Sequence, residues 1–161
     1  MNVKLAYLDS SSIVKRYIEE EGSQVVDAIY EKAEVEKLRF AFSIWNVGEV
    51  LGVFDKHRLR GLLSEAAFKT ALSDFLSESI KMVRIGSLQI LPITTKTLIE
   101  SWLLILKHHL YMADALQVSA SKEAGCNLLL SADDQLIQLA KKEGIDAVNI
   151  ETEPQRALTS I

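Results

Sequence analysis

The sequence has little sulfur chemistry, with a single cysteine, Cys126, among 161 residues. One cysteine cannot form an internal disulfide, and no cluster of Cys and His residues has the spacing of a zinc site. The N-terminus lacks the charged segment and long apolar core of a signal peptide, and no apolar run approaches the about 18 residues of a membrane span. These absences predict a cytoplasmic protein that does not associate with a membrane.

Several common catalytic motifs are also missing. The sequence contains neither a G-x-x-x-x-G-K-[ST] phosphate loop nor a G-x-G-x-x-G fingerprint, so nucleotide-cofactor chemistry lacks its usual marks. No G-x-S-x-G nucleophile elbow accompanies the serines at 10–12. The pair His108 and His109 falls at a predicted helix end, which gives those serines no catalytic partner. A serine hydrolase is therefore not expected.

Composition places the chain among ordinary globular proteins, with 48% hydrophobic and 25% charged residues. Its length favours one domain. The net charge is −4, from 22 acidic and 18 basic residues, which gives nucleic-acid binding no general support. A nuclease of this composition would have to concentrate its carboxylates around a divalent cation and place Lys or Arg along the rim.

Short apolar runs alternate with amphipathic helical patterns, which predicts an α/β fold with a central parallel sheet of about five strands. We expect one domain over residues 1–150, followed by a loosely held C-terminal tail over 151–161. The predicted strands cover residues 5–8, 39–43, 88–93, 126–131 and 146–150.

The first and fourth predicted strands both run into acidic residues. Asp9 follows the first strand directly, and Asp133 follows the fourth. Ligands of open α/β sheets bind outside the carboxyl ends of the strands, so these two acids would converge on a site if their strands are neighbours. The alternative for Asp9 is an ordinary helix N-cap.

Two further acids are candidates. Glu49 lies about 180–200° around its helix from the apolar stripe, so periodicity alone predicts a solvated side chain. Gly48 and Gly52 nevertheless leave room near it for a ligand, unless they serve helix packing. Asp114 lies in the first turn of a helix, where the macrodipole stabilises its ionised form, and it could be simply an N-terminal helix acid.

Four stretches resemble the acidic motifs of PIN-domain ribonucleases, a family that includes VapC-like toxins. Their order and spacing agree along nearly the whole chain. The stretches are YLDSS at 7–11, VGEVL at 47–51, MADAL at 112–116 and LSADDQL at 130–136.

This resemblance implies a three-layer α/β/α PIN-like fold, with a helical clip over about 61–82. It also implies a pocket that binds Mg²⁺ or Mn²⁺ and cuts single-stranded RNA, an antitoxin partner and a homodimer. By the same matching, Ser131 would support the fourth acid, and Ser11 would be a polar residue of the first motif. The implied catalytic and metal-binding acids are Asp9, Glu49, Asp114 and Asp133.

Electrostatics support such a pocket independently. Two carboxylates about 4 Å apart repel by roughly 4 kcal/mol at an effective dielectric constant of 20, so several cannot all ionise comfortably without a cation. Mg²⁺ prefers oxygen ligands and keeps several waters, which suits a few carboxylates and a substrate phosphate. We expect Asp9 and Asp133 to be direct ligands. Glu49 and Asp114 would bind directly, through water, or hold the attacking water.

Cations and aromatic residues near the motifs are candidates for RNA contacts. Lys15, Arg16 and Lys96 could bind the backbone, although a solvated helix face is the more common role of such residues. Trp45 and Tyr111 could stack a base, although aromatic side chains are more often buried.

The sequence therefore predicts a metal-dependent endoribonuclease, and the resemblance to VapC-like toxins implies a role as the toxin of a toxin–antitoxin pair. Two alternatives stay open. One is a different phosphoryl-transfer enzyme, such as a flap-type DNA nuclease or a phosphatase, that uses the same acidic pocket. The other is a non-catalytic PIN-like module that binds protein or RNA.

Overall fold

A parallel five-stranded sheet forms the centre of the molecule. The structure is a computed structural model that describes residues 4–161, so residues 1–3 of the predicted domain lie outside the described residues. The strands lie in the order β3-β2-β1-β4-β5, and every neighbouring pair is parallel, which confirms the predicted sheet. They are β1 (Leu5–Leu8), β2 (Arg39–Ser43), β3 (Leu88–Leu91), β4 (Leu128–Ser131) and β5 (Asp146–Asn149).

Helices connect the strands and cover both faces of the sheet. Alternate residues of β1 enter two separate cores: Ala6 and Leu8 face one, and Tyr7 faces the other. This arrangement confirms the three-layer α/β/α fold. The helices of the described chain are α1 (Ser10–Val14), α2 (Ser23–Glu34), α3 (Ile44–Leu59), α4 (Glu65–Arg84), α5 (Thr95–His108), α6 (Met112–Glu123), α7 (Asp134–Lys142) and α8 (Pro154–Ser160).

The two cores explain why the strands are apolar throughout. The first core packs α1 to α4 and α8 against one face of the sheet. The second packs α5 to α7 against the other. A strand that is covered on both faces needs a continuous apolar run rather than an alternating pattern. All four residues of β4 are accordingly buried.

Side-chain caps set the starts of several helices. Ser43, Ser64 and Thr94 each accept a backbone N–H with the side-chain hydroxyl at the N-terminus of α3, α4 and α5. Gly61 takes φ +71° between α3 and α4, where left-handed backbone ends the first helix. The helix that follows, α4, covers most of the helical clip expected over about 61–82.

The expected loose tail over 151–161 is wrong. Pro154 occupies the first turn of α8, where its missing N–H costs nothing. Ala157 is fully buried, and α8 packs against α2 and β5. Lys32 Nζ also donates to the carbonyl oxygen of Ile161 at 2.9 Å. The segment is held because its apolar side chains complete the first core.

No helix within residues 4–161 combines the length and apolar character required to cross a membrane.

Candidate active site

Asp9 and Asp133 lie at the carboxyl ends of adjacent strands. β1 and β4 pair directly, with Leu8 in register with Leu130, and the Asp9 N–H donates to the Leu130 carbonyl at 3.3 Å. Both carboxylates also cap helices. Asp9 accepts the N–H of Ser12 at 2.9 Å, and Asp133 accepts the N–H of Gln135 at 2.8 Å. The helix-cap and sheet-edge interpretations of Asp9 are thus both correct about its position.

Asp9 is almost fully enclosed, with 4% of its surface exposed. Burial raises its pKa, and hydrogen bonds from Ser131, Ser11 and Ser12 oppose that rise. The Ser11 hydroxyl lies 2.8 Å from both carboxylate oxygens, and the Ser131 hydroxyl donates to Oδ2 at 2.7 Å. These donors hold the carboxylate in one orientation.

Ser131 also joins Asp9 to the fourth acidic motif. Its oxygen accepts the backbone N–H of Asp133 at 2.8 Å while its hydroxyl donates to Asp9. One side chain therefore sets the relative positions of the two acids. The structure gives Ser131 the geometry of a supporting residue for both.

Asp114 lies in the first turn of α6. Its pKa is raised to about 6, first by burial and then by the negative charges of Asp133, Glu49 and Asp9. Within the described residues no hydrogen bond reaches its carboxylate, in contrast to that of Asp9. The other three predicted acids are therefore close enough to Asp114 for their charges to oppose its ionisation.

Glu49 points towards the site even though periodicity predicts a solvated position. Its side chain is half-buried and accepts a hydrogen bond from the Ser10 hydroxyl. The Asn46 amide Nδ2 lies 3.3 Å from the same carboxylate. A Cβ atom added to Gly48 or Gly52 would contact nothing within 4 Å, so these glycines leave open space rather than a tight helix contact.

Asn46 is a functional-site residue that the sequence interpretation missed. It is fully buried, and its Oδ1 accepts the Tyr7 hydroxyl at 2.6 Å and the Ser43 hydroxyl at 2.9 Å. Its Nδ2 lies 2.8 Å from Gln117 Oε1 and 2.9 Å from Ser10 Oγ. One carboxamide thus connects β1, α1, α3 and α6 beneath the acids.

A signal for this network is present in the sequence. Asn46 lies four and eight residues before Val50 and Phe54, which makes it a polar member of the buried face of α3. Gln117 follows Asp114 by three residues on the otherwise apolar buried side of α6. Polar residues in line with a core face indicate buried hydrogen-bond partners.

The donor chemistry of the pocket fits a hard divalent cation. Carboxylate oxygens are the ligands that Mg²⁺ and Mn²⁺ favour, and mutual repulsion raises the cluster's affinity for positive charge. Across residues 4–161, no three acidic, His or Cys side chains are positioned together as a complete metal-binding group. Mg²⁺ sites commonly use one or two carboxylates, with water and substrate phosphate as the other ligands.

The structure argues against RNA contacts by Lys15 and Arg16. Lys15 is 4% exposed, and its Nζ pairs with Glu20 at 3.0 Å and Glu151 at 2.5 Å. Arg16 pairs with Asp27 at 2.6 Å and Glu78 at 2.8 Å. Both cations are engaged in ion pairs that join elements of the fold.

The two aromatic candidates are not buried. Trp45 is 43% exposed and Tyr111 is 81% exposed. Neither side chain is therefore a buried core residue. Lys96 is also exposed, with Glu100 at 3.9 Å as a partner on the same helix.

The PIN domain family model matches residues 6–142, which is most of the chain. No curated protein matches the sequence closely enough to count as a relative.

Solved structures share the fold. PAE2754 from Pyrobaculum aerophilum is 19% identical, with a TM-score of 0.66 over 99% of each chain. FitAcB from Neisseria gonorrhoeae is 18% identical, with a TM-score of 0.62 over 90% of this chain and 97% of that one. Mycobacterium tuberculosis VapC20, described as a sarcin-ricin loop cleaving toxin, is 11% identical, with a TM-score of 0.59 over 87% of this chain and 95% of that one. At these identities the likeness shows the fold alone.

Proposed function

Because this chain belongs to the PIN-domain family, we propose that it is a metal-dependent endoribonuclease that cleaves single-stranded RNA. PIN domains are generally nucleases. The proposed active site is the pocket of Asp9, Glu49, Asp114 and Asp133. The observation that carries the proposal is geometric: Asp9 and Asp133 follow adjacent parallel strands, and Ser131 is hydrogen-bonded to both residues. Burial, followed by the charges of the other three acids, also raises the pKa of Asp114 to about 6.

Asp9 and Asp133 would hold the cation. Asp9 is held in orientation by the hydroxyls of Ser11 and Ser131, and Ser131 fixes the backbone of Asp133. Such support keeps two carboxylates in place although they repel each other. A bound Mg²⁺ or Mn²⁺ would polarise the scissile phosphate and lower the pKa of a water nucleophile.

Glu49 and Asp114 would complete the site from the opposite side, as ligands or by holding the attacking water. Asp114 has a pKa of about 6, which suits a proton acceptor near neutral pH. Glu49 is oriented by Ser10 and Asn46, which keep one carboxylate oxygen hydrogen-bonded. These residues give a water molecule a defined acceptor on the side facing the substrate.

A role as the toxin of a toxin–antitoxin pair is part of the proposal. VapC20, which has the same fold, is described as a toxin that cleaves the sarcin-ricin loop. An antitoxin would then be the protein partner of this chain. A homodimer would cover apolar side chains that α5 exposes, including Trp102, Leu103 and Leu106.

The test is cleavage of labelled single-stranded RNA with Mg²⁺ or Mn²⁺, compared with the same reaction in EDTA. Asp9→Asn should abolish the metal-dependent cleavage and leave the fold intact by circular dichroism. Asp74→Asn, which changes an exposed acid on α4, is the matched control and should cleave normally. Undiminished cleavage by purified Asp9→Asn protein would contradict the assignment.

Flapped DNA and a small phosphate ester belong in the same assay. Cleavage of either in preference to RNA would replace the ribonuclease with a DNA nuclease or a phosphatase on the same pocket. Absence of activity on all three substrates would favour a non-catalytic binding module.

A further inference from the structure

A second, chemically different cleft adjoins the acidic pocket. It has a volume of about 320 Å³ and lies between the α5–α6 connection and α7. Asp114 contributes to the wall of the cleft and also belongs to the proposed active site, so the two sites share this residue. The cleft is also lined by polar and aromatic side chains that can contact a ligand, namely His109, Tyr111, Gln135, Gln138 and Lys142.

The cleft presents groups that suit a nucleotide. Tyr111 begins α6 without capping it through its side chain, and its ring is largely exposed at the cleft wall. Lys142 on α7 has no carboxylate within 4.0 Å among the residues that the structure describes. Gln135 and Gln138 are exposed amides on the same helix. An aromatic ring can stack on the base of a nucleotide, and a cation can bind its phosphate. Amide groups can form hydrogen bonds with the edge of the base.

The walls of the cleft are held together by a separate ion cluster. Glu143 accepts hydrogen bonds from Lys107 at 2.8 Å, His108 at 2.7 Å and Lys122 at 2.9 Å. This cluster joins the ends of α5, α6 and α7 and uses the charges of Lys107 and Lys122. Lys142 stays outside the cluster and faces the cleft.

His109 occupies unusual backbone at the lip of the cleft. It ends α5 with φ 56°, a left-handed conformation in which glycine is the favoured residue. Its imidazole is exposed and lines the cleft, where it can contact a bound ligand.

We propose that this cleft is a nucleotide-binding subsite for the RNA strand next to the scissile phosphate. Tyr111 stacks one base, Lys142 and His109 bind backbone phosphate, and Gln135 and Gln138 contact the edge of the stacked base. The volume lies near the lower end of the about 300–1,000 Å³ typical of ligand sites, which suits roughly one nucleotide. The inference rests on the proposed function, because the acids of that site would cut the strand that the cleft holds.

The test measures binding separately from cleavage. Fluorescence anisotropy with a labelled single-stranded RNA would use Asp9→Asn protein in Mg²⁺, so that cleavage does not remove the probe. In that background Tyr111→Ala should weaken binding by roughly 5- to 150-fold, the range that stacked bases lose on alanine substitution. Tyr111→Phe should bind like the parent, because the ring is retained.

Lys142 has a matched control beside it in the chain. Lys142→Ala should weaken binding and reduce the slope of log affinity against log salt by about one. Lys141→Ala makes the same charge change at an exposed position that does not line the cleft, and it should leave the salt slope unchanged. His109→Gly should weaken RNA binding without lowering the unfolding midpoint, because glycine suits the local backbone.

The outcomes separate this inference from the proposed function. RNA binding that depends on Tyr111, together with no RNA cleavage by the wild-type protein, would support the subsite and contradict the nuclease. Metal-dependent cleavage with binding that Tyr111→Ala and Lys142→Ala leave within twofold of the parent would support the nuclease and overturn the subsite. Failure of the parent to bind RNA would overturn both.

Discussion

Replacing Asp114 by Asn should stabilise the metal-free protein at pH 7 while destroying its activity. The acidic pocket raises the pKa of this carboxyl from 3.8 to about 6, because burial and three nearby negative charges disfavour ionisation. In the unfolded chain the carboxyl is solvated and far from the other acids, so its ionisation has no such free-energy cost. The folded protein therefore loses stability relative to the unfolded chain as the pH rises from about 4 to 6, and the full penalty applies above pH 6.

The pKa change sets the magnitude of this effect. A rise from 3.8 to about 6 corresponds to roughly 3 kcal/mol. Because Asp114 is only partly buried, solvent screening reduces the expected gain to about 1–2 kcal/mol. Asn has nearly the same volume as Asp and removes the charge, so packing should contribute little to the difference.

Urea unfolding in EDTA at pH 7 and at pH 4 measures this gain. Asp114→Asn should raise the unfolding midpoint at pH 7, and most of the difference should vanish at pH 4, where the wild-type carboxyl is protonated in the folded state. Mg²⁺ should then stabilise the wild type more than the variant. A variant that is no more stable than the wild type at pH 7, or that is equally stabilised at both pH values, would show that the ionised Asp114 does not destabilise the folded protein.

Three further substitutions test the supports around the site. Ser131→Ala should lower the unfolding free energy by about 1–3 kcal/mol and reduce cleavage, because the buried Asp9 carboxylate loses a hydrogen-bond donor. An unchanged unfolding free energy in urea would contradict this role of Ser131. Asn46→Ala should cost about 2–4 kcal/mol in the same assay, since several buried groups lose their partner, and an unchanged midpoint would remove the network from the account. Lys107, His108 and Lys122 hold the Glu143 pKa down at about 2, so its stabilisation is complete above pH 4.5 and is lost as the pH falls through about 2. Glu143→Gln should therefore lower the unfolding free energy by about 1–2 kcal/mol at pH 7, allowing for the exposed lysines, and a loss of equal size at pH 2 would exclude this cause.

Local sequence patterns were sufficient to place two of the acids. Asp9 and Asp133 each follow an apolar run that is long enough for a buried strand, and parallel strands bring their carboxyl ends to one edge. Because β1 and β4 are neighbours in the sheet, the two acids lie close together. The outcome for these residues was predictable because it depends on contiguous residues and a general rule of sheet topology.

Glu49 and Asn46 show why the remainder was not predictable. Apolar periodicity assigns Val47, Val50, Leu51 and Phe54 of α3 to the core. Val50 and Phe54 are buried as expected, and so is Asn46, which the apolar pattern does not include. Asn46 can be buried because Tyr7 and Gln117, from distant segments, satisfy its amide. No local pattern contains those partners.

Lys15 illustrates the same limit for charged residues. Its position after the first acidic motif suggests a contact with RNA, but Glu151 lies 136 residues away in sequence and binds its ammonium group. That ion pair joins the C-terminal end of α1 to the turn after β5. A surface cation and a paired structural cation have the same local sequence.

The most direct test of the account is a crystal structure of the protein soaked with Mn²⁺, with the metal located by anomalous scattering. We expect an anomalous peak for one Mn²⁺ ion at the carboxyl edge of the sheet, next to Asp9 and Asp133. Asp114 and Glu49 should bind this ion directly or through water. The same soak of Asp9→Asn crystals should lose or weaken that peak. An empty pocket in wild-type crystals at millimolar Mn²⁺, or carboxylates too far apart to share one ion and its waters, would contradict a metal site formed by these four acids.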